Sequence, residues 1–443
     1  MPIEICAIGG FSKTEGNSVA IKVDDEVVIL DMGLGMEEYV KFTEDLEDVQ
    51  AKNYNQLLKV NAVPNYNYIK DWKGKVLAIA CTHGHLDHIG AIPFAAPLFP
   101  KAPVISTPYA IEILKSILND DKMDIPNRLV SINLGSKYVV SKKITLEFVN
   151  VTHSIPHAAI IVVHTPYGKL MYANDFKLDP QPVLGKKPDY KRLNALGEEG
   201  VDVLIMNSLY AHAHRKCPSE SVAREMLKDV MLGINSQARA MVVTTFSSHM
   251  ARLKSIVQLG KELNRKIIFL GRSLHKYVKA AETVGIINFQ DDVKIFSHRD
   301  KLQKILKKVQ KDGKEKYLIV CTGHQGEPRA ILSRMIRKEL DFYFNSGDIV
   351  IFSCQVIPVE VNIENRKKME EALRKTGVRI FSDVHVSGHA ALEDHRDLLE
   401  MIKPTNIIPV HAGPEKGQMI VELAQQLKLG KVHILKDSER LTV

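Results

Sequence analysis

The sequence is 443 residues long, and its 45% hydrophobic and 25% charged residues are the balance of an ordinary globular protein, which excludes collagen-like, mucin-like and disordered classes. Lys and Arg number 60 against 52 Asp and Glu, a net charge of +8, and the length suits about two to four domains. No apolar run approaches the roughly 18 residues of a membrane span, and the first residues lack a signal-peptide pattern. Five scattered cysteines predict no disulfide framework, so we expect a cytoplasmic protein with no membrane partner.

The first half of the chain alternates short β-branched runs with amphipathic stretches. Two of the amphipathic stretches, 110–118 and 219–232, predict helices. Residues 36–72 follow no clear period and predict an elaborated insertion between two early strands. The predicted strands are 3–8, 18–23, 26–31, 76–81, 144–150, 158–164, 169–173 and 203–206.

The most informative stretch follows the predicted strand 76–81 and reads Thr-His-Gly-His-Leu-Asp-His. It places His83, His85, Asp87 and His88 within six residues, and such groups are seldom buried together unless they are paired or bind a metal. Imidazole nitrogen and carboxylate oxygen are ligands that Zn²⁺ prefers. The first two histidines lie two residues apart, so an extended segment turns both to the same side, whereas the last two ligands follow a turn and can address a second ion.

Three further candidate ligands, His153, Asp175 and His411, each follow a predicted strand. Loops at the carboxyl ends of neighbouring strands gather at one edge of a sheet, where sites form. Taken singly, each of the three fits a structural role, and coincidence among 17 histidines is the alternative to a metal site. We favour ligation, with Asp175 bridging two ions. The expected ligands are His83, His85 and His153 for one ion, and Asp87, His88 and His411 for the other.

Two metal ions roughly 3.5–4 Å apart are a hydrolytic device. They lower the pKa of a shared water to near neutrality and screen the charge of a phosphoryl group. We therefore expect two Zn²⁺ per chain, with Mn²⁺ as a competitor in oxygen-rich surroundings, and a catalytic role for Asp87 and Asp175. This chemistry favours hydrolysis of an anionic substrate.

From residue 240 onward the pattern changes to short buried strands with helices between them, which is typical of a doubly wound α/β unit. The segment 251–316 holds 17 Lys and Arg against 7 Asp and Glu, so it carries the whole positive surplus of the chain. Its charge fits either solvated helix faces or a surface that meets a polyanion. The later predicted strands are 240–245, 266–270, 317–321, 348–353, 379–382, 406–410 and 431–434, and the helices are 251–264, 276–283, 364–376 and 392–402.

The pattern His-x-His-x-Asp-His, followed by His153, Asp175 and His411, resembles the metallo-β-lactamase superfamily. The stretches 384–389 and 408–413 are similar to the closing motifs of its β-CASP nucleases. Within that group the chain resembles ribonuclease J, in its short archaeal form. The stretches that carry this resemblance are 10–11, 152–156, 174–177, 245–248, 322–328 and 352–353.

The resemblance implies an α/β fold in which a metallo-β-lactamase αββα sandwich is split by an inserted doubly wound β-CASP domain. The first part would cover residues 1–208, the insert 209–366 and the closing part 367–443. It also implies a two-metal-ion ribonuclease that degrades single-stranded RNA 5′→3′ from a 5′-monophosphate end, releases nucleoside 5′-monophosphates, and in some members cuts internally. RNA decay and processing is the implied role, and family members often form homodimers.

Within this resemblance, several residues are expected to bind RNA phosphates. Gly388 lets backbone N–H groups approach a phosphate, Ser387 adds a hydroxyl, and His385 adds a proton or a charge. A Ser-Gly turn before a helix is the alternative. Ser247 and Ser248 stand between a strand and a helix, at a natural anion site, with plain N-capping as their alternative.

His389 is expected to protonate the leaving 3′-oxygen and to join the phosphate-binding residues. In the family an acidic residue supports this histidine, and Asn207 stands at that position here. A carboxylate neighbour raises the pKa of a histidine, which an amide cannot do by charge. A natural variant, an engineered change and an offset in the alignment of residues 207–209 are the open explanations.

Two other functions fit parts of the pattern. A small-molecule ester or thioester hydrolase on the same scaffold needs neither the insert nor its basic segment. A non-catalytic RNA-binding relative would have lost ligands, whereas all seven candidates are present. The ribonuclease hypothesis leads, because it uses the metal pattern, the basic segment and the phosphate-binding residues together.

Overall fold

A computed structural model describes residues 3–44, 53–357 and 359–443. Residues 45–52 of the predicted insertion lie outside this described part. By their internal contacts the residues form two compact units. Unit 1 comprises Met1–Asp179, Lys186–Cys217 and Gly388–Val443, and unit 2 comprises Pro180–Gly185 and Pro218–Ser387.

The strands follow the short apolar runs of the sequence, and the helices follow its amphipathic stretches. In chain order the strands are β1 (Ile3–Gly9), β2 (Ser18–Val23), β3 (Glu26–Leu30), β4 (Val76–Ala80), β5 (Val104–Ser106), β6 (Leu129–Ser131), β7 (Lys137–Val139), β8 (Thr145–Asn150), β9 (Ala159–Thr165), β10 (Gly168–Ala173), β11 (Val203–Asn207), β12 (Met241–Thr244), β13 (Lys266–Leu270), β14 (Val293–Phe296), β15 (Tyr317–Cys321), β16 (Ile349–Phe352), β17 (Arg379–Phe381), β18 (Asn406–Val410), β19 (Lys431–Val432) and β20 (Arg440–Thr442). The α-helices are α1 (Met36–Glu44), α2 (Tyr54–Lys59), α3 (Leu86–Ile89), α4 (Ile92–Ala95), α5 (Pro108–Asp120), α6 (Tyr190–Glu199), α7 (Glu220–Gly233), α8 (Met250–Glu262), α9 (Arg272–Thr283), α10 (Arg299–Asp312), α11 (Ile331–Ile336), α12 (Glu360–Lys375), α13 (Leu392–Ile402) and α14 (Pro414–Gln426). Short 3₁₀ segments cover Tyr66–Lys75, Ala96–Leu98 and Lys314–Lys316.

Unit 1 contains two seven-stranded sheets. One has the strand order β20-β1-β2-β3-β4-β5-β6, and the other has the order β19-β18-β11-β10-β9-β8-β7. Alternate residues of both sheets, such as Ile5 and Ile21 in the first and Phe148 and Ile161 in the second, are buried in one shared hydrophobic core. The two sheets therefore pack face to face.

Helices cover both outer faces of this pair of sheets. Helices α6, α13 and α14 pack on the second sheet through Leu193, Leu398 and Leu423, which belong to a separate core. Helix α5 packs against β5 and β6 of the first sheet. The layer order of helix, sheet, sheet and helix confirms the predicted αββα sandwich.

Unit 2 holds a six-stranded sheet in the order β14-β13-β15-β12-β16-β17, with every neighbouring pair parallel. Its central strands are continuous apolar runs because both faces of a parallel sheet are covered, and Val242, Ile319 and Val350 are fully buried. The sheet places β15, β13 and β14 on one side of β12 and β16 and β17 on the other, which confirms the predicted doubly wound α/β unit. The basic segment 251–316 supplies most of α8 and all of α9 and α10 to this unit.

Residues 367–387, which the sequence assigns to the closing part of the first domain, belong to unit 2 by their contacts. The reason is that β17 pairs with β16 and that α12 packs on β17. The domain limits at residues 208 and 366 refer to the domains of the family, and they stay a prediction.

The sequence also predicts a chain without membrane spans and without a disulfide framework. Within the part of the chain that the structure describes, no helix is both long enough and apolar enough to span a bilayer. All five cysteines lie in the described part of the chain, where they are buried and form no disulfide bond. Burial raises the pKa of the Cys6 and Cys217 thiols to about 11, so both are neutral and unreactive at pH 7.

Candidate metal centre

The candidate ligands of unit 1 all lie in loops that follow a strand. The stretch 83–88 follows β4, and its second half forms the start of α3. His153 follows β8, Asp175 follows β10 and His411 follows β18. These strand ends bring all seven predicted ligands together, at the edge where sites in such sheets form.

Four of the seven form the first cluster. His85 Nδ1 lies 3.0 Å from His83 Nε2 and 3.1 Å from His153 Nε2. Asp175 Oδ2 lies 3.2 Å from His153 Nε2 and 3.7 Å from His83 Nε2. Ligands at the corners of a tetrahedron around Zn²⁺, each about 2.0–2.1 Å from the ion, are roughly 3.3 Å apart. The cluster therefore has the size and the donor set of a zinc site.

Asp87, His88 and His411 form a second cluster. His88 Nε2 lies 3.4 Å from Asp87 Oδ2 and 3.4 Å from Asp175 Oδ2. The other Asp175 oxygen, Oδ1, lies 3.5 Å from His411 Nε2. Asp175 thus faces both clusters, which is the position expected of a carboxylate that bridges two ions.

Behind His88 and His153 lie oxygen atoms that accept a hydrogen bond. His88 Nδ1 lies 2.7 Å from Asp31 Oδ2, and His153 Nδ1 lies 2.7 Å from the carbonyl oxygen of Gly388. A Cβ at residue 388 would come within 2.6 Å of the Ser154 side chain, so this close approach requires glycine. Each Nδ1 therefore carries the proton, and each Nε2 presents its lone pair to the clusters.

His83 and His411 are oriented in the same way. The Thr82 hydroxyl donates to Asp31 at 3.0 Å, and the same oxygen accepts from His83 Nδ1, also at 3.0 Å. His411 Nδ1 donates to Asn17 Oδ1 at 2.9 Å, and the Asn17 amide nitrogen donates to a backbone carbonyl of the ligand loop. Metal-ligating histidines nearly always have such a second partner, which fixes the tautomer and the ring orientation.

Burial sets the charge of the two clusters. It lowers the pKa of His83, His85 and His411, so these rings are neutral at pH 7 and keep a lone pair for a metal. Burial alone would raise the pKa of Asp175, but the histidines around it outweigh burial and hold the pKa well below its usual range. Burial alone would lower the pKa of His88, but three surrounding carboxylates outweigh it and raise the pKa, so metal binding at His88 Nε2 would release a proton from this ring.

Two residues of this arrangement, Asp31 and Asn17, are missing from the sequence prediction. Asp31 closes the predicted strand 26–31, so the signal that marks Asp175, a carboxylate at a strand end, marks it too. It has a φ of +59°, a conformation that Asp tolerates better than most residues. Asn17 gives no such signal, because its partner His411 lies 394 residues away in sequence.

His389 lies beside the second cluster, and its ring stacks on that of His411 with the centroids 5.5 Å apart. Asn207 Oδ1 accepts from the Leu209 N–H at 2.8 Å, which turns its Nδ2 toward Asp175 Oδ1 at 2.8 Å and His389 Nδ1 at 3.4 Å. An amide N–H directed at Nδ1 leaves the His389 proton on Nε2. Burial lowers the pKa of His389 to about 3, so the ring is neutral at pH 7.

The other candidate phosphate-binding residues lie in unit 2. Ser247 and Ser248 come just before α8, and the cap position of that helix is held by His249. The alternative of plain N-capping therefore does not hold for either serine. His385 and Ser387 lie between β17 and α13, where Ser387 is buried and His385 is half-buried. A phosphate-binding role for these four residues stays a prediction.

Three family models match successive parts of the chain. Residues 13–197 match the metallo-beta-lactamase superfamily. Residues 238–369 match the beta-CASP domain of ribonuclease J, and residues 378–435 match the Zn-dependent metallo-hydrolase RNA specificity domain. The order of the three matches agrees with the order of motifs in the sequence.

Two curated proteins named Ribonuclease J are similar over nearly the whole chain. That of Methanocaldococcus jannaschii is 41% identical over 100% of this chain and 99% of its own length. That of Pyrococcus abyssi is 41% identical over 96% of this chain and 93% of its own length. A crystal structure of a protein of unknown function from Enterococcus faecalis V583 covers 100% of both chains with a TM-score of 0.66 and 16% identity, which bears on the fold alone.

Proposed function

The chain belongs to the ribonuclease J family of the metallo-β-lactamase superfamily, and on that premise we propose that it degrades single-stranded RNA 5′→3′ from a 5′-monophosphate end. The proposed products are nucleoside 5′-monophosphates. Internal cleavage and a role in RNA decay and processing belong to the same proposal. A homodimer and a cytoplasmic location stay predictions.

One observation carries the proposal: six candidate ligands converge around the seventh, Asp175, and a hydrogen-bond acceptor lies behind each of four histidines among them. This donor set fits two Zn²⁺, with Mn²⁺ as the alternative. A bound pair of such ions supplies an activated water and neutralises the charge of a phosphodiester. The residues that would hold the ions are His83, His85 and His153 for one, Asp87, His88 and His411 for the other, and Asp175 for both.

Three side chains of the chain itself would act around the scissile phosphate. Asp87 and Asp175 are charged at neutral pH, because neighbouring histidines outweigh burial and hold the pKa of each carboxyl low. They therefore bind cations rather than protons. His389 carries its proton on Nε2, which makes Nε2–H the donor toward the leaving 3′-oxygen. Asn207 gives this histidine no negative charge, so no carboxylate at residue 207 raises its pKa for protonation of the leaving group.

The basic segment 251–316 supports a polyanionic substrate. If its lysines and arginines neutralise RNA phosphates, RNA affinity falls steeply as salt rises, because the phosphates release their counterions on binding. Titrating labelled RNA at several salt concentrations measures this slope. An affinity independent of salt would mean that these side chains face only water.

Paired RNAs of one sequence, one with a 5′-phosphate and one with a 5′-hydroxyl, test the proposed activity. We expect the metal-loaded protein to release mononucleotides from the phosphorylated RNA and far fewer from the hydroxyl RNA. Binding without cleavage would instead indicate a non-catalytic RNA-binding protein. Neither binding nor cleavage would indicate a small-molecule hydrolase, and internal fragments without mononucleotides from either RNA would contradict 5′→3′ degradation from the 5′ end.

A further inference from the structure

A buried ion pair in unit 2 lies outside the metal centre. Arg252 of α8 is fully buried, and its guanidinium donates to both oxygens of Glu220, from Nε at 2.6 Å and from Nη2 at 2.8 Å. Desolvating two charges costs several kcal/mol per ion, so such a pair is often no more stable than apolar side chains of the same size. The other hydrogen bonds of the pair therefore indicate what it holds in place.

The remaining nitrogen of Arg252 reaches the segment that carries two of the candidate phosphate-binding residues. Nη1 donates to the Ser353 carbonyl at 2.9 Å, to Ser353 Oγ at 2.9 Å and to the Val384 carbonyl at 3.3 Å. Ser353 Oγ in turn donates to the same Val384 carbonyl at 2.8 Å. The arginine thus ties residue 384, just before His385 and Ser387, to the end of β16.

Arg252 also faces the ring of His385 directly. Its Nη1 lies 3.4 Å from His385 Nδ1. A guanidinium has five N–H donors and no acceptor, and it stays charged in proteins. A proton on Nδ1 would therefore point at a donor of like charge, so the His385 proton lies on Nε2.

The same carboxylate supports the other candidate phosphate segment. His249, the residue after Ser248, accepts from the backbone N–H of Arg252 at its Nδ1, 3.4 Å away. Its Nε2 then carries the proton and lies 3.5 Å from Glu220 Oε2. Glu220 therefore supports both segments. It faces His249, next to Ser248, directly, and it binds Arg252, which faces His385.

We infer that Glu220 and Arg252 are positioning residues for RNA phosphate binding, which hold His385 as a neutral ring with its proton on Nε2. In this form His385 donates one directed hydrogen bond to a phosphate oxygen, and the adjacent guanidinium supplies the positive charge. The inference rests on the proposed function, because it takes a phosphate group of the RNA as the ligand. On this inference, His385 provides a hydrogen-bond proton to the phosphate and not a positive charge.

Steady-state cleavage of 5′-phosphorylated RNA by the metal-loaded protein tests the inference. Arg252→Lys keeps the positive charge but loses the planar guanidinium with its paired N–H donors. Glu220→Gln keeps the shape of the side chain but loses the negative charge. We expect each to raise KM about tenfold, the loss of roughly one charge-assisted hydrogen bond, with kcat changed less than twofold. Arg366→Lys is the matched control, because Arg366 is also a buried arginine of unit 2, lies outside the basic segment 251–316 and donates to a carboxylate, that of Glu370, at 2.8 Å; its KM stays at the native value.

A second readout is independent of the folding of the variants. In the native protein, a long-range ¹H–¹⁵N spectrum of labelled histidines, with the His385 signals identified by their loss in His385→Asn, should show Nδ1 unprotonated and Nε2 protonated at pH 7.5. A proton on Nδ1, or an unchanged KM in both folded variants, would overturn the inference. A native protein that cleaves no RNA would instead contradict the proposed function, while the tautomer would still report on the contact between Arg252 and His385.

Discussion

The two units of the molecule use histidine in opposite ways. In unit 1 the nitrogen behind a candidate ligand faces an acceptor, such as the Asp31 carboxylate behind His88. In unit 2 the nitrogen behind His385 faces the Arg252 guanidinium, which can only donate. The first arrangement leaves a lone pair for a cation, and the second leaves an N–H for an anion. The group behind the ring decides which charge the histidine binds.

The charge of the supporting group follows the same rule. Asp31 adds a negative charge behind a centre built for cations, and its carboxylate also accepts from the Thr82 backbone N–H at 2.8 Å. Arg252 adds a positive charge beside His385, the residue proposed to bind a phosphate. In each unit the supporting charge is opposite to that of the proposed ligand, so it would raise affinity as well as fix the tautomer.

The largest effect is expected where a donor of the metal centre is removed. His85→Ala takes away the nitrogen that lies between His83 and His153 in the first cluster. We expect cleavage of RNA to fall by about a thousandfold or more and bound metal to decrease, measured by elemental analysis of the same preparation. His433→Ala is the control, since His433 bonds Asn406 outside the clusters. A His85→Ala protein with full activity and full metal content would refute the site assignment.

The next largest effect is expected at Asp31, which supports the ligand His88, rather than at a ligand itself. Asp31→Asn keeps an oxygen that can accept from His88 Nδ1 and tolerates the positive φ of this position, but it removes the charge. Loss of such a supporting group typically costs about 10–100-fold in metal affinity. Competition with a chromophoric chelator measures it. An unchanged affinity would show that the group behind His88 has no part in metal binding.

The comparison can also be sharpened at His389, whose Nδ1 lies 3.4 Å from the amide nitrogen of Asn207. Asn207→Asp would replace an amide donor with a carboxylate, which raises the pKa of His389 from about 3 and gives the leaving oxygen a better acid. We expect kcat for RNA cleavage to rise by about tenfold, with metal content measured alongside because the new carboxylate also faces Asp175. Unchanged turnover across pH 6–9 would count against His389 as the acid.

An effect on stability rather than on cleavage is expected at His395, which belongs to neither the candidate ligands nor the candidate phosphate-binding residues. His395 is fully buried against the Phe176 ring, and burial lowers its pKa to about 4. Below its ordinary pKa of about 6.5 the unfolded chain binds a proton that the folded chain does not. The free energy of unfolding therefore falls as the pH drops from about 6.5 toward 4, by at most about 1.4 kcal/mol per pH unit from this residue. Denaturant unfolding of His395→Leu should show a shallower dependence on pH than the native protein, and equal slopes would argue that the buried ring keeps its ordinary pKa.

The candidate metal ligands can be recognised in the sequence, but the residues that support them cannot. His83, His85 and Asp87 crowd into one loop, and Asp175 follows a long apolar strand, so local pattern is enough to find them. Supporting contacts join residues that are far apart in sequence, such as Arg252 and His385, separated by 133 residues. No local period encodes such a pair, so only the folded chain reveals it.

The secondary structure shows the same contrast between what local sequence predicts and what depends on distant contacts. Strands with long apolar runs, such as β10, β13 and β15, are predicted almost residue for residue. The short strands β5, β6, β7, β14 and β20 are missing from the prediction, because their pairing depends on neighbours in the sheet rather than on their own composition. Helices α6 and α14 are also missing from the prediction, although each buries leucines against the second sheet.

The tautomers of the histidines test the central contrast most directly. A long-range ¹H–¹⁵N spectrum of the zinc-loaded protein, with signals assigned by single substitutions, reports which ring nitrogen carries the proton. We predict that His88, His153 and His411 carry it on Nδ1, and that His385 carries it on Nε2. A spectrum in which His385 shares the tautomer of the other three would contradict the account.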